Sequence, residues 1–417
     1  MTKVNLTIVA TGSEITGGKS IDTNSGWIAN EIAGEGLSVR NFIALPDVPE
    51  TILEELAHIQ SKANKSDDIF WIIMTGGLGP TEDDYTVDVV AKLINQETEV
   101  VEKARLRLES ILRVRGKDYE SLLPSVMRQT RVPMTSRVLE NKVGIAPGFI
   151  VDLAKNCFLA CLPGVPPEMK EMFHKRLLPI LRKSFSEKER FRGEKFLWNI
   201  GESLYQDQFI SKHPIIQRGN VEWGVTAKRG FIKVTFLSTN KAEIDTLLND
   251  LEAKYPEQIS NDVFTELHNK LIADGKQIAI AESCTGGWLA KLLTDQPGSS
   301  TYFIASLVTY HNQAKENLLF VSQETLETKG AVSEETAREM IAGLEKHFDI
   351  DYSLSITGIA GPEGGNDEKP VGLVYMGVKA KGRSARIIRY NFPGNRELVR
   401  EATANNAIFQ LYKELFL

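Results

Sequence analysis

The sequence predicts an α/β protein in three parts. These are an N-terminal, mostly parallel, three-layer sheet domain, a small α+β connector, and a C-terminal α/β domain. Three observations lead there. Apolar runs that end in glycine-rich loops alternate with helical spacings at both ends of the chain, the pattern of parallel sheets flanked by helices. A charged, aperiodic run, KSFSEKERFRGE at 183–194, interrupts that alternation. The length of 417 residues suits two to four domains at roughly 100–200 residues each. The boundaries drawn are 1–182, 183–258 and 259–417.

Within the first part, residues 4–10 read as a buried strand and 11–14 as the turn after it. Residues 24–35 have helical spacing through Trp27, Ile28 and Ile32, and 37–45 form a second strand. Residues 51–60 are a helix by Ile52, Leu53, Leu56 and Ile59. Residues 69–74 are a continuous apolar strand, 156–162 another, and 168–181 a helix. In the connector, 221–227 and 231–237 form a hairpin around Lys228-Arg229-Gly230, followed by a helix at 242–254. The third part opens with a helix at 263–273, a strand at 277–281, a helix at 286–294 and a strand at 302–310. Residues 333–348 are an amphipathic helix with Ser333 as N-cap. Strands at 352–356 and 372–378 and a final helix from Arg396 complete it.

Composition narrows the function classes. The hydrophobic fraction is 42% and the formal charge 49 − 55 = −6, without long runs of one sign. No basic stripe marks a nucleic-acid binder, and no apolar stretch approaches the roughly 18 residues of a membrane span. The start, MTKVNLTIVATGSE, lacks the pattern of a signal peptide. Three cysteines, Cys157, Cys161 and Cys284, supply no disulfide framework, and the expected compartment is the cytoplasm.

In the third part, AIAESCTGGWLAKLL puts Ser283 where a strand turns into a helix. The amides of Cys284, Thr285, Gly286 and Gly287 would face an anion or an oxyanion there. Ser283 is a candidate nucleophile, a helix N-cap being the plain alternative, and Cys284 is a rival thiol. A serine nucleophile needs a base. Lys315, in VTYHNQAKENLL, is the candidate, with Tyr310 as proton relay or orienting group; His311 is a competing base, and a solvated helix lysine is the plain alternative. SITGIAGPEGG places Thr357, Gly358 and Gly361 in a loop that could contact a nucleotide. FPGNR sets Arg396 at the start of the last helix to clamp a phosphate or carboxylate, with Arg400 as the competing choice.

In the first part four loops stand out: 11–18 (TGSEITGG), 75–84 (TGGLGPTEDD), 141–148 (NKVGIAPG) and 163–169 (PGVPPEM). Loops after parallel strands gather at the carboxyl edge of a sheet. Gly76, Gly77 and Gly79 would cradle phosphates, with Glu14, Asn24 and Thr81 in the nucleotide site. Asp83 and Asp84 would hold a divalent cation beside them. In the alternative reading Thr81 caps a helix and the three following acids complement its dipole.

The runs AESCTGG, TYHNQAK, GAVSE, ITGIAGPEGG, KPVG and FPGNR, in continuous order over about 262–417, closely resemble the nicotinamide-nucleotide amidohydrolase domain, PncC, of CinA proteins. TGGLGPTEDD with PGVPPEM resembles the MoaB/MogA molybdopterin-binding fold, and the chain order is that of the CinA family. The resemblance implies that Ser283 attacks the carboxamide of nicotinamide mononucleotide, with Lys315 and Tyr310 handling protons and Thr357 and Arg396 as further site residues; Thr285, Gly286, Gly287, Gly358 and Gly361 join them as substrate-binding residues on the reading of their loops. Nicotinic acid mononucleotide and ammonia would be the products, and no cofactor is expected for that step. For the N-terminal domain it implies an ADP-ribose pyrophosphatase dependent on Mg²⁺, Mn²⁺ or Co²⁺. The first loop departs mildly from the family's GTEL, having Gly12-Ser13-Glu14-Ile15. Small-molecule nucleotides are the expected partners, with no direct nucleic acid or membrane contact, and the family tends toward homodimers. Molybdopterin-related nucleotidyl chemistry and a non-catalytic, competence-related nucleotide binder are the alternatives.

Overall fold

The computed structural model describes residues 4–115, 126–184 and 190–416; residues 185–189 of the charged run read as a boundary lie outside them. The chain divides into two compact units, Met1–Arg192 and Gly193–Leu417. Both are α/β.

In the first unit the long apolar runs form a mixed sheet. Its strands are β1 (Val4–Thr11), β2 (Asn41–Leu45) and β3 (Ile69–Thr75), then, after the paired short strands β4 (Thr98–Val100) and β5 (Arg131–Pro133), β6 (Arg137–Leu139), β7 (Gly148–Ala154) and β8 (Cys157–Leu162). The order is β2-β1-β3-β8-β7-β6. The first four run parallel, and β7 and β6 add antiparallel to β8. The expected three layers are present. Ile28, Ile32, Met169, Met172 and Phe173 pack on one face against Leu6, Ile8, Trp71 and Ile73. Ile52, Leu56, Val87 and Val90 cover the other. The strand expected over 37–45 is shorter, Asn41–Leu45, and the turn after β1 winds into a short helix, Ser13–Thr16. The helix Thr23–Gly34 starts on an Asp22 side chain that accepts from the Ser25 amide, the ordinary N-cap contact.

In the second unit, β9 (Phe191–Trp198), β10 (Glu222–Lys228), β11 (Phe231–Ser238) and β12 (Ile259–Ser260) form a four-stranded sheet, which includes the expected hairpin. The connector does not stand apart from the C-terminal α/β part. Trp198 stacks on Phe409 of the final helix at 4.5 Å between ring centroids, and the two share one apolar core with Val263, Leu267 and Ile280. The last sheet has β13 (Ile278–Glu282), β14 (Phe303–Val308), β15 (Tyr352–Gly358), β16 (Leu373–Ala380) and β17 (Arg386–Asn391), in the order β14-β13-β15-β16-β17. The first three are parallel and the last two antiparallel. Helices Val263–Ala273, Trp288–Thr294 and Arg396–Phe416 lie on one face. Glu334–His347, capped by Ser333 as expected, lies on the other. Among the described residues no helix is long and apolar enough to cross a membrane, and the three cysteines are buried and free.

Candidate functional sites

The second unit's site forms where β13, β14 and β15 end side by side. Glu282 pairs with Val308 on one flank and Ile356 on the other, so Ser283 and Thr309 leave the sheet at one level. The Ser283 amide is held by the Ile356 carbonyl at 3.0 Å, and the Thr309 amide by that of Glu282 at 2.8 Å.

Lys315 Nζ lies 3.1 Å from Ser283 Oγ, 2.8 Å from the Thr309 carbonyl and 3.4 Å from the Tyr310 carbonyl. The lysine is only 1% exposed, and burial pushes its pKa below the ordinary lysine range. Nζ thus faces three oxygens, two carbonyls that can only accept and the Ser283 hydroxyl, which can accept from a charged lysine or donate to the lone pair of a neutral one. Burial favours the neutral form.

The turn after Ser283 is built differently from the expectation. Helical structure begins at Trp288, not 286, because Gly286 and Gly287 have φ of 58° and 93°, a region glycine enters without steric penalty. The fully buried Glu282 carboxylate accepts from the amides of Gly287, Leu289 and Ala290 at 3.0, 3.1 and 2.9 Å, and from the Ser306 hydroxyl. The helix N-terminus, read from sequence as open to an anion, is therefore satisfied from within, and the Gly287 amide is not a free donor. The Gly286 amide is likewise returned to the Ser283 carbonyl. This leaves the amides of Cys284 and Thr285, which make no hydrogen bond to another described residue, as the unpaired donors of the turn. Glu282 was missed in the sequence; its signal was a carboxylate closing an otherwise apolar strand.

Cys284 points into the core, 5% exposed, and burial pushes its thiol up to about 12. It is no rival nucleophile. His311 serves as a local cap, its Nδ1 accepting from the Gln313 amide. The Tyr310 hydroxyl pairs with the Arg396 guanidinium, which also donates to the Gly361 carbonyl at 2.8 Å. Tyr310 thus meets Lys315 through its carbonyl. Thr357 is buried and its hydroxyl donates to the Ala331 carbonyl at 2.6 Å, tying β15 to the GAVSE loop rather than facing solvent. Lys369 of KPVG fastens the same loop through the Lys329 and Val332 carbonyls. At Gly358 a side chain would meet Val374, the Leu373 carbonyl and Cys284 Sγ, so that glycine serves packing. Arg400 lies over the Trp288 ring and donates to the Thr285 carbonyl at 2.8 Å, which steadies the turn carrying Ser283.

In the first unit all four marked loops line one cleft of about 540 Å³. Glu14, Gly76, Gly77, Gly79, Thr81, Asp83 and Asp84 are in its wall, joined by Asp47 and Glu168. Gly76, at φ 103°, lies so close to Thr11 that a Cβ would sit 2.6 Å from its carbonyl. Asn24 is not in the cleft wall; its Nδ2 donates to the Gly164 carbonyl at 2.7 Å and so braces the 163–169 loop. Asp47, unmarked in the sequence, accepts from the Ser13 amide at 2.7 Å and fixes the first loop.

The capping alternative for Thr81 fails. The helix begins at Thr86, with Asp88 as its first-turn acid. Thr81 instead donates its amide and hydroxyl to Asp84 Oδ2 at 2.8 and 2.5 Å. Among the described residues no three His, Cys, Asp or Glu side chains converge as a metal cage. The donor set fits a small divalent ion that keeps water and phosphate oxygens and takes only one or two carboxylates from the protein.

Comparison with known proteins agrees with this layout. Residues 260–415 match the family model described as CinA C-terminal domain, and residues 7–183 the one described as probable molybdopterin binding domain. A CinA-like protein of Leptospira biflexa serovar Patoc is 50% identical, with 98% of each chain covered. One from Leptospira interrogans serogroup Icterohaemorrhagiae is 47% identical over 98% of this chain and 97% of that one. Among solved structures, the competence damage-inducible protein A of Klebsiella pneumoniae is 35% identical, covering 37% of this chain and 95% of that one, with a TM-score of 0.36.

Proposed function

The chain belongs to the CinA family, and from that premise we propose that its second unit hydrolyses the carboxamide of nicotinamide mononucleotide. The observation that carries this reading is the buried, desolvated Lys315 amine 3.1 Å from Ser283 Oγ.

Lys315 takes the Ser283 proton as Oγ attacks the amide carbon, and the amides of Cys284 and Thr285 stabilise the oxyanion. The C–N bond breaks as the proton passes from Lys315 to the departing nitrogen, releasing ammonia and leaving an acyl-serine. Water attacks the ester, Lys315 accepts its proton and returns it to Ser283, and nicotinic acid mononucleotide leaves. Arg396, whose present partners are Tyr310 and Gly361, would bind the substrate's phosphate. The test is ammonia release by wild type and Ser283→Ala with chelator present. Metal-independent release that the substitution abolishes supports the reading; a wild type that releases no ammonia, or a Ser283→Ala chain that still does, overturns it.

The four-loop cleft supports a second activity, ADP-ribose pyrophosphatase. Glycine amides would receive the diphosphate, and Asp83 and the free oxygen of Asp84 would hold a divalent ion, which when bound neutralises charge on the diphosphate. Turnover of ADP-ribose, set against adenylyl transfer with molybdopterin and ATP, separates this activity from cofactor chemistry.

A further inference from the structure

At the opposite end of the first unit's sheet from the four-loop cleft, a second cavity has no role in either reaction. Its volume is about 560 Å³, within the range of small-molecule pockets. It lies beside β7 beyond the end of β6, and its walls include Trp71, Phe158, Asp152 and Ile180. Trp71 stacks on Phe158 at 4.9 Å between ring centroids. Trp71 is 2% exposed, yet its indole N–H meets no acceptor. Buried donors are almost always paired, and one that is not marks a place to look for a partner.

A smaller cavity of about 280 Å³ adjoins the first through the shared residues Arg137 and Ile180. It is basic: Arg137, Lys175, Arg176 and Lys183 line it. Arg176 is paired with Glu140, but its Nε is buried without an acceptor. Among the described residues the side chains of Arg137, Lys175 and Lys183 have no ion-pair or hydrogen-bond partner. Among the described residues these four cations share one paired carboxylate, Glu140, in a chain whose net charge is −6, a local concentration of positive charge that attracts an anion.

The spacing joins the two halves. Asp152 pairs with Phe158, Phe158 pairs with Trp71, and Arg137 pairs with Ile150, two residues from Asp152 on the same face. At roughly 4.8 Å per strand, Arg137 stands about 14 Å across the sheet from Trp71, room for one ring and one charged group. We infer that this double cavity is a second ligand site, for a planar heterocycle that carries a phosphate, of mononucleotide size. The ring lies in the Trp71–Phe158 half with an acceptor toward the indole N–H. The phosphate lies among Arg137, Lys175 and Lys183, and Asp152 takes a hydroxyl or amino group between them.

Calorimetric titration of the full chain with AMP tests this, because binding heat does not depend on either proposed hydrolysis. The expected result is an AMP site weakened about tenfold or more in Arg137→Ala/Lys183→Ala, both surface changes, and also weakened in Trp71→Phe. The same site is retained in Ser283→Ala and Asp84→Asn, the variants aimed at the other two sites. An isotherm for Arg137→Ala/Lys183→Ala identical to wild type would overturn the proposal. So would an AMP site that inorganic phosphate displaces as well as AMP does and that Trp71→Phe leaves unchanged, since that site would recognise an anion and no ring.

Discussion

At the residue scale the proposed chemistry rests on the Lys315–Ser283 contact. A buried general base contributes roughly 10²–10⁴ in rate, so Lys315→Ala should lower ammonia release by that factor with the fold intact by circular dichroism. Activity needs the neutral amine. Because burial lowers the Lys315 pKa, kcat/KM should rise with pH through a value below the ordinary lysine range, and that limb should vanish in the variant. A base limb at an unperturbed lysine pKa would count against this. Linkage has a definite sign here. Between the lowered and the ordinary value the unfolded chain binds more protons than the folded one, so this group's contribution to stability falls as pH drops through that window.

The element scale concerns the junction of β13 with the helix Trp288–Thr294. The Glu282 carboxylate satisfies the amides of Gly287, Leu289 and Ala290, while those of Cys284 and Thr285 stay unpaired among the described residues. Glu282→Ala would leave those three donors buried without partners. It should cost about 2–4 kcal/mol, measured by denaturant melts, and should lower kcat more than it raises KM, because the turn that carries Ser283 loses its anchor. A variant with unchanged stability would show that the carboxylate is dispensable for the turn. Trp198→Ala belongs to the same scale. Removing a buried ring stacked on Phe409 costs about 3–5 kcal/mol. Because the two residues share one core, the melt of the whole second unit should shift, not only that of the connector sheet.

On the scale of the whole molecule, the two units present different donor sets. One has loops with scattered carboxylates, proposed to hold an ion together with phosphate; the other has a serine–lysine pair, proposed to move the protons. Chelator should therefore abolish ADP-ribose hydrolysis while leaving ammonia release within about twofold, since the proposed amide chemistry routes its protons through Lys315. Loss of both activities on chelation would mean that the second site also needs an ion.

Much of this was legible in the chain. Apolar runs ending in glycine loops located β1, β3, β8, β13 and β15, because buried parallel strands have no other way to leave a sheet than through a turn at its edge. Ser283, Lys315 and the four glycine-rich loops stood out as motifs for the same reason: chemistry at a sheet edge needs small residues and polar side chains in fixed order. Only the tertiary structure decided which of them meet. It turned the Tyr310 hydroxyl to Arg396, placed Thr357 on Ala331, buried Cys284 and filled the helix N-terminus with Glu282. The antiparallel strands β6 and β7 were not read from the sequence, because their pairing with each other and with β8 is set by neighbours the local pattern does not contain. Local pattern determines where strands and turns fall, since backbone hydrogen bonding and side-chain periodicity are near-neighbour properties. Which hydroxyl finds which base, and whether an amide is free or already taken, depends on groups far apart in the chain, 86 residues for Tyr310 and Arg396 and 115 for Thr285 and Arg400, and only packing sets that.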